Sequence, residues 1–511
     1  MTEIARTKAI ALTGITGDVV TVEAAVSSQL PGMVIIGLPD TALTEAKQRV
    51  RLACIQAKHE LSNRFITVNL SPAALPKQGS GFDLAIALSA MAVSGHIPNP
   101  QKFDCAYIGE LGLDGSVRRS SGLLTAVIAA KKHGFKVVMV AEEAAQEARL
   151  VADIKVIAVV NLQAAVAWHR AESGQWREVS QESSTRAAES IKQPDLKDII
   201  GQEEAKAALE IAAAGGHHML MVGPPGAGKT LLASCLPSIL PVLDDAAALE
   251  TSSVQSLQDA SMTGLTRTAP FIAPHHTATA AAIIGNADRN GVRPGAVTKA
   301  NNGVLFLDEA AEFAPRVLNT LRQPLESGEI QINRARAQVI MPAKFQLVLA
   351  TNPCPCGYAK SNDLKNMCEC TAVMRRKYLL RISGPLRDRI DIHLLLNRVR
   401  STAQAAGGKA EDSQTVRERV IKARLIQRER YKNTVWQCNS QVSGAWFRAP
   451  ENALPRAVTA VLDSALLHGE ISLRSYDRIL RVAWTLADLA GAQAPMREHI
   501  AKALTMRAGQ L

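Results

Sequence analysis

Gly223-Pro224-Pro225-Gly226-Ala227-Gly228-Lys229-Thr230 satisfies every fixed position of the pattern G-x-x-x-x-G-K-[ST]. The stretch His218–Val222 before it reads as a buried strand, and Leu231-Leu-Ala-Ser-Cys235 after it as the start of a helix. The chemistry requires that context. Glycines let the backbone fold tightly, so that successive N–H groups and the helix N-terminus point at phosphate oxygens. Lys229 then meets the β- and γ-phosphates, and Thr230 offers its hydroxyl to Mg²⁺. A glycine-rich turn without a ligand is the competing reading, and the complete motif in its strand–loop–helix setting outweighs it. The chain is expected to bind a nucleoside triphosphate in an α/β core.

Working outward, Val304-Leu-Phe-Leu-Asp308-Glu309 is an apolar strand ending in two acids, as a Walker B strand requires. Asp308, at the carboxyl end of a parallel strand, can hold Mg²⁺ through water, and Glu309 can polarise the water that attacks the γ-phosphate. An acidic pair after an apolar run is usually a solvated strand end; the phosphate loop upstream gives this one its meaning. The next apolar strand, Phe345–Ala350, ends in Thr351-Asn352-Pro353, where Asn352 can position the attacking water. Arginines at 387, 389, 474 and 478 follow. Isolated arginines are usually surface residues, but two of these fall where a ring-forming ATPase needs cations, one from a neighbouring subunit and one from a lid.

The bounds set by the whole chain agree. Its 511 residues exceed one core, so two to four domains are expected. A net charge of +11 favours a polyanionic partner, whereas 4% aromatics argues against recognition mainly by stacking. No basic-then-apolar leader opens the chain and no apolar run is long enough to span a membrane, so a cytoplasmic location with reduced thiols and no membrane partner is expected. Four of the eight cysteines cluster: Cys354-Pro-Cys356 and Cys368-Glu-Cys370 supply the thiolate set of a structural Zn²⁺ site. Reduced free thiols and a redox-active pair are the alternatives. The histidine pairs His217-His218 and His275-His276 are poor chelators, because adjacent strand residues point to opposite faces, and are read as structural or substrate-loop residues.

The nucleotide motifs resemble those of the AAA+ superfamily, and further stretches narrow the resemblance. Asp195–Leu209, Ala273-Pro-His-His-Thr277, Gly303–Glu309, Asn352-Pro-Cys-Pro-Cys-Gly357 and Ser383-Gly-Pro-Leu386 look like the magnesium-chelatase-like branch. With the N-terminal block, essentially the whole chain resembles the ComM/YifB family, implicated in natural transformation as hexameric ATP-driven DNA branch-migration motors. The resemblance implies sensor 1 at Asn352, an arginine finger at Arg389 and sensor 2 at Arg474. Relatives commonly read Leu-Leu-Asp-Arg-Ile-Asp where this chain has Arg387 in the second position, so the finger falls on Arg387 or Arg389. Trp484 stands where relatives often carry an arginine, and Ala296 where they carry a glutamate.

Gly328 to Lys344 alternates apolar residues around a short basic tip and reads as a β-hairpin. In related ring motors such a hairpin projects into the pore, which would bring Arg334, Arg336 and Lys344 to DNA phosphates without reading bases; a solvated surface hairpin is the alternative. The Ala/Thr/Gly-rich segment 252–299 is a candidate second insertion, with Arg289 and Arg293 as weaker contacts. The basic helix Val416–Arg430 is read as a solvated face. In front, Pro76–Ala85 and Ile108–Val117 resemble the Lon-type proteolytic domain, of ribosomal S5 domain 2-like fold. That family's Ser/Lys dyad would fall on Gly81 and Ala126, which supply neither nucleophile nor base. The expected organisation is an S5 domain 2-like α+β domain over 1–170, a linker over 171–194, and an AAA+ P-loop α/β core with the cysteine site over 195–400. A flexible loop over 401–414 and a helical lid domain over 415–511 complete it. The favoured function is a homo-hexameric ATPase moving DNA, with helicase or branch-migration activity. The alternative is a magnesium-chelatase-type subunit remodelling a protein partner without DNA.

Overall fold

The computed structural model describes all residues except 1–3, 38–39, 76, 78–79, 180–192, 259–261, 289–290, 334–337, 360–366, 399–410 and 509–511. At the front, β1 (Ile4–Thr13) and β2 (Thr16–Ser27) pair antiparallel around a turn at Gly14, whose φ of 67° suits a residue without Cβ. β3 (Gly32–Ile36), β4 (Phe65–Ser71) and β5 (Cys105–Tyr107) follow, with a small β6 (Glu110–Leu111)–β7 (Val117–Arg118) pair set apart. β8 (Val137–Ala141), β9 (Lys155–Val159) and β10 (Trp176–Val179) complete an eight-stranded mixed sheet of order β10-β9-β8-β5-β1-β2-β4-β3. The helix Asp83–Val93 is apolar on all sides and accordingly buried through Met91, the behaviour of a core helix rather than a surface one. The strands expected near 17–23, 64–69 and 136–140 and the helices expected near 83–94 and 121–133 are present, the last as Leu123–Lys132.

The nucleotide core is a second sheet. Its strands are β11 (Met219–Val222), β12 (Phe271–Ile272), β15 (Val304–Leu307), β18 (Gln346–Thr351) and β19 (Ile392–Leu395). Two antiparallel hairpins interrupt them: β13 (Gly285–Asp288) with β14 (Gly291–Pro294), and β16 (Glu329–Asn333) with β17 (Gln338–Pro342). The five core strands lie in the order β12-β15-β18-β11-β19, with all neighbours parallel. β11, β15 and β18 are buried along their whole length, which is why they read as continuous apolar runs without alternation. Because every strand runs the same way, the segments that leave β11, β15 and β18 emerge along one edge, where parallel α/β sheets bind ligands.

Helices Ser413–Arg430, Gly444–Arg448, Arg456–Leu467, Leu473–Leu489 and Arg497–Ala508 make the C-terminal region helical. The first keeps the solvated face its charge pattern suggests, with Glu418, Lys422, Arg428 and Glu429 exposed, but three of its arginines are engaged elsewhere. Arg419 meets Glu210 at 2.6 Å, Arg424 donates to the Ala213 carbonyl at 2.7 Å, and Arg430 pairs with buried Asp488 beneath the Trp484 ring. One stripe of this helix packs against the core helix Glu203–Gly215, and Arg419, Arg424 and Arg430 are structural cations rather than part of a free basic surface. A buried cluster ties the region to the core: Asp391 receives Arg478 at 2.6 Å and lies 3.2 Å from His217 Nδ1. Arg478 and His217 hold the Asp391 carboxyl well below the usual carboxylate range against the opposing pull of burial. His217 also contacts the Thr485 hydroxyl at 2.7 Å, so this pair serves structure, as expected.

The front sheet is seated on the core through the helix Asp245–Ser256. Gly122 N–H donates to the Ser256 carbonyl at 3.1 Å, and the Ser256 hydroxyl donates to buried Glu147 at 2.6 Å. At that helix's other face, Glu250 accepts from Asn301 and Asn302, both at 2.8 Å, immediately before β15. No helix among the described residues is long and apolar enough to cross a membrane.

Candidate active site

The phosphate loop leaves β11 and closes at Gly226 and Gly228, with φ values of 77° and 82° that only glycine adopts without strain. Helix Lys229–Ile239 begins at once, so its free N–H groups face the loop. Lys229 Nζ donates to the carbonyls of Gly223 (2.7 Å) and Pro224 (3.1 Å) and to Asn352 Oδ1 (3.1 Å). Burial lowers its pKa, and the carboxylates of Asp308 and Glu309 oppose that shift. Thr230 donates to Asp308 Oδ2 at 2.6 Å, placing a hydroxyl and a carboxylate together as a hard-cation pair. Glu309 sits in the left-handed region at φ 50°, an uncommon backbone for a non-glycine residue. These residues line one open cavity of about 430 Å³, bounded by Pro225 to Leu231, Asp308, Glu309, Thr351 and Asn352. The structure thus gathers Gly226, Ala227, Gly228, Lys229, Thr230, Asp308, Glu309 and Asn352 from three strand ends.

The arginines lie elsewhere. Arg389 is buried and pairs with Glu326, and Arg474 lies 3.6 Å from the same carboxylate. Arg389, and not Arg387, lines the second cavity, of about 500 Å³, with Glu326, Asn319 and Arg322. Neither Arg389 nor Arg474 lines the phosphate-loop cavity of its own chain.

Cys354, Cys356, Cys368 and Cys370 bring their sulfurs within 4.8 Å of one another. Cys354 is 3.3 Å from Cys356 and 3.8 Å from Cys368, and Cys356 is 3.6 Å from Cys368. The loop that carries them abuts the phosphate loop: a Cβ on Gly357 would fall 2.7 Å from Pro225 Cδ. Arg398 donates to the Pro225 carbonyl at 2.7 Å with its guanidinium 5.6 Å from the Tyr358 ring centroid. The Gln202 amide donates to the carbonyls of Ala227 (3.2 Å) and Asn397 (2.6 Å). Sequence reasoning did not single out Gln202, Tyr358 or Arg398, and it left His276 among structural or loop residues. His276 Nδ1 lies 3.2 Å from Glu309 Oε2. Gln202 and His276 lie inside stretches already quoted, Asp195–Leu209 and Ala273–Thr277, whereas Tyr358 and Arg398 lie only beside such motifs.

Both strands of the expected hairpin are present as β16 and β17, while Arg334 and Arg336 lie outside the described residues, as does Arg289. Lys344 stands at the root of the hairpin, its backbone N–H bonded to Asn301 at 2.9 Å, rather than at the tip. In the front sheet, Gly81 faces Ser120, Ser80 donates to Glu110, and buried Lys77 donates to the Pro72 carbonyl. Ala126 is packed in the core.

Three family models match the chain. Residues 195–404 fit "Magnesium chelatase, subunit ChlI", residues 22–144 fit "Subunit ChlI of Mg-chelatase", and residues 410–507 fit "Magnesium chelatase, subunit ChlI C-terminal". The chain is 39% identical to the competence protein ComM of Haemophilus influenzae over 97% of its own length and 96% of that protein's. It is 38% identical to the uncharacterized protein YifB of Escherichia coli over 97% and 95% of the two chains. An uncharacterized protein of Mycobacterium tuberculosis is 40% identical over 99% and 98%.

Proposed function

The chain belongs to the magnesium-chelatase-like AAA+ ATPase family that includes ComM and YifB, and on that premise we propose that it hydrolyses ATP as a homo-hexamer to move branched DNA. The observation that carries the reading is the convergence of Lys229, Thr230, Asp308, Glu309 and Asn352 on one cavity at the carboxyl edge of a parallel sheet. Lys229 and the loop N–H groups bind the β- and γ-phosphates of the bound triphosphate. Thr230 and Asp308 hold Mg²⁺, whose chemistry is to neutralise charge on those phosphates. Glu309 accepts a proton from water as the water oxygen bonds to Pγ. The bond from Pγ to the bridging oxygen breaks, and ADP leaves with that electron pair. Asn352 orients the water.

Arg389 and Arg474 have no role at their own chain's loop in this reading. Both serve the neighbour's phosphates, with Arg389 the finger in preference to Arg387, because Arg389 shares the Glu326 bay with Arg474. The quartet Cys354, Cys356, Cys368 and Cys370 holds a structural Zn²⁺ that braces the loop beside Pro225. DNA as the substrate draws on the +11 charge, on the hairpin carrying Arg334 and Arg336 with Lys344 at its root, and on the name of the Haemophilus influenzae relative. The front region is an S5 domain 2-like unit without a protease dyad; its sheet runs through β10 to Val179, past the end expected at 170, so the link to the core over 195–400 is shorter than 171–194. Residues 401–414 lead from that core to the helical lid over 415–511.

Measuring ATP turnover with and without three- and four-stranded DNA junctions tests this function. Stimulation by junctions supports it. Robust turnover that no DNA alters would instead favour a chelatase-type subunit acting on a protein partner.

A further inference from the structure

Between Glu369 and Asp388 the chain carries Arg375, Arg376, Lys377, Arg381 and Arg387 and no acidic residue. The first part of that stretch is the helix Ala372–Leu379, which follows the cysteine quartet directly and is capped by Thr371 accepting from Met374 N–H at 3.3 Å. Tyr378 is its one buried residue. A helix that leaves nearly all of its surface in water gains little from packing, so an apolar stripe on it calls for a partner. Val373 is 62% exposed, Met374 48% and the following Leu380 50%. Helical spacing puts Val373, Lys377 and Leu380 on one face, with Arg376 one turn on from Val373.

The cations here are of two kinds. Arg375 donates to the Cys370 carbonyl at 3.0 Å and Arg381 meets Glu312 at 3.2 Å, so both fasten the helix to its surroundings. Arg376 and Lys377 are exposed, and among the described residues neither has an acidic partner. We infer that the face formed by Val373, Arg376, Lys377 and Leu380 is a second nucleic-acid contact, apart from the β16–β17 hairpin, that holds the backbone of a displaced single strand. This inference rests on the proposed DNA reading. Unpaired cations favour a polyanion, and their phosphate contacts carry no sequence information. The aliphatic side chains between them favour a single strand, whose base faces are open to contact, over a duplex that stacks them inside.

The same helix touches the nucleotide site. The Tyr378 hydroxyl meets the side chains of Thr351, which lines the phosphate-loop cavity, and of Glu312, just beyond Glu309. Burial pushes that hydroxyl up to about 12, so it stays protonated and able to donate. A strand seated on the helix therefore bears on the end of β18 through one side chain.

The test measures binding of a fluorescein-labelled single-stranded oligonucleotide and of the matching duplex across a salt series. It compares the full-length wild type with the double variant Arg376→Gln/Lys377→Gln, recording the oligomeric state of each. Each phosphate neutralised on a single strand contributes about 0.7 to the slope of log affinity against log salt. The double variant should therefore lose about 1.4 from that slope and bind the single strand about 25-fold less tightly at ~0.1 M salt. The loss on duplex should be smaller, and Arg376→Lys/Lys377→Arg, which keeps both charges, should bind as wild type does. An unchanged slope and affinity in the double variant, beside a wild type that binds the strand, would overturn this surface and leave the DNA reading standing. An equal loss on duplex would overturn the assignment to a single strand. A double variant that falls to a smaller oligomer would mark the helix as an interface between copies and overturn the inference. A wild type that binds neither DNA would remove the DNA reading and the inference together.

Discussion

Removing one sulfur from the cysteine quartet should release a metal and loosen the phosphate loop. Tetrahedral zinc with ~2.3 Å bonds to sulfur requires sulfur–sulfur edges of about 3.8 Å. The edges Cys354–Cys356, Cys354–Cys368 and Cys356–Cys368 measure 3.3, 3.8 and 3.6 Å and all four sulfurs lie within 4.8 Å of one another, so a zinc ion fits with shifts of no more than about 1 Å. The other cysteines, Cys54, Cys105, Cys235 and Cys438, are buried in packed cores and give no competing thiol signal in the folded state. Elemental analysis of the purified chain should give about one zinc per chain, and a thiol reagent should find the quartet protected until a strong chelator is added. Cys368→Ser should fall to well under half of that zinc content. Because Gly357 touches Pro225, both Cys368→Ser and Gly357→Ala should also weaken ATP affinity, the latter through a 2.7 Å clash at a φ of 84°. A wild-type protein without metal, its quartet freely reactive under native conditions, would refute the reasoning.

Three further expectations concern catalysis and stability. Lys229→Ala should abolish ATP binding, whereas Glu309→Gln should bind ATP and lose about 10²–10⁴-fold in turnover; equilibrium binding beside phosphate release separates the two. Asp391→Asn strands Arg478 in a buried site and should cost about 3–5 kcal/mol, read as a lower urea midpoint, with a wild-type midpoint counting against the buried pair. His169 is buried against Tyr107 with its pKa pushed down to about 4 by desolvation, so the unfolded chain takes up the proton first and stability is lost as pH falls from ~6.5 towards 4. From about pH 7 to about pH 5 that loss is about 2 kcal/mol, and His169→Gln should flatten the slope by this amount in melts at the two pH values.

The parts legible in the sequence are those whose signal is local. A phosphate loop states its geometry in eight consecutive residues, and the fully apolar runs of β15 and β18 announce buried parallel strands without reference to anything distant. The hairpin around 328–344 was readable for the same reason, through its alternation. What depends on strand order was not legible. His276 reaches Glu309 only because β12 docks beside β15, and Gly357 reaches Pro225 only because β18 lies next to β11. The convergence of Arg389 and Arg474 on Glu326 likewise joins segments that no spacing rule connects. The basic helix at 413–430 was half legible: its solvated face is there in exposed Glu418, Lys422, Arg428 and Glu429, but charge pattern alone does not reveal that Arg419, Arg424 and Arg430 are engaged by neighbouring elements.

Strand exchange on a labelled three-stranded DNA junction, followed by gel with wild type and Glu309→Gln side by side, tests the central claim most directly. ATP-dependent displacement of the labelled strand is expected from the wild type and none from the variant, although both bind ATP. A wild-type protein that hydrolyses ATP yet leaves the junction untouched, or displacement that persists in Glu309→Gln, would contradict it.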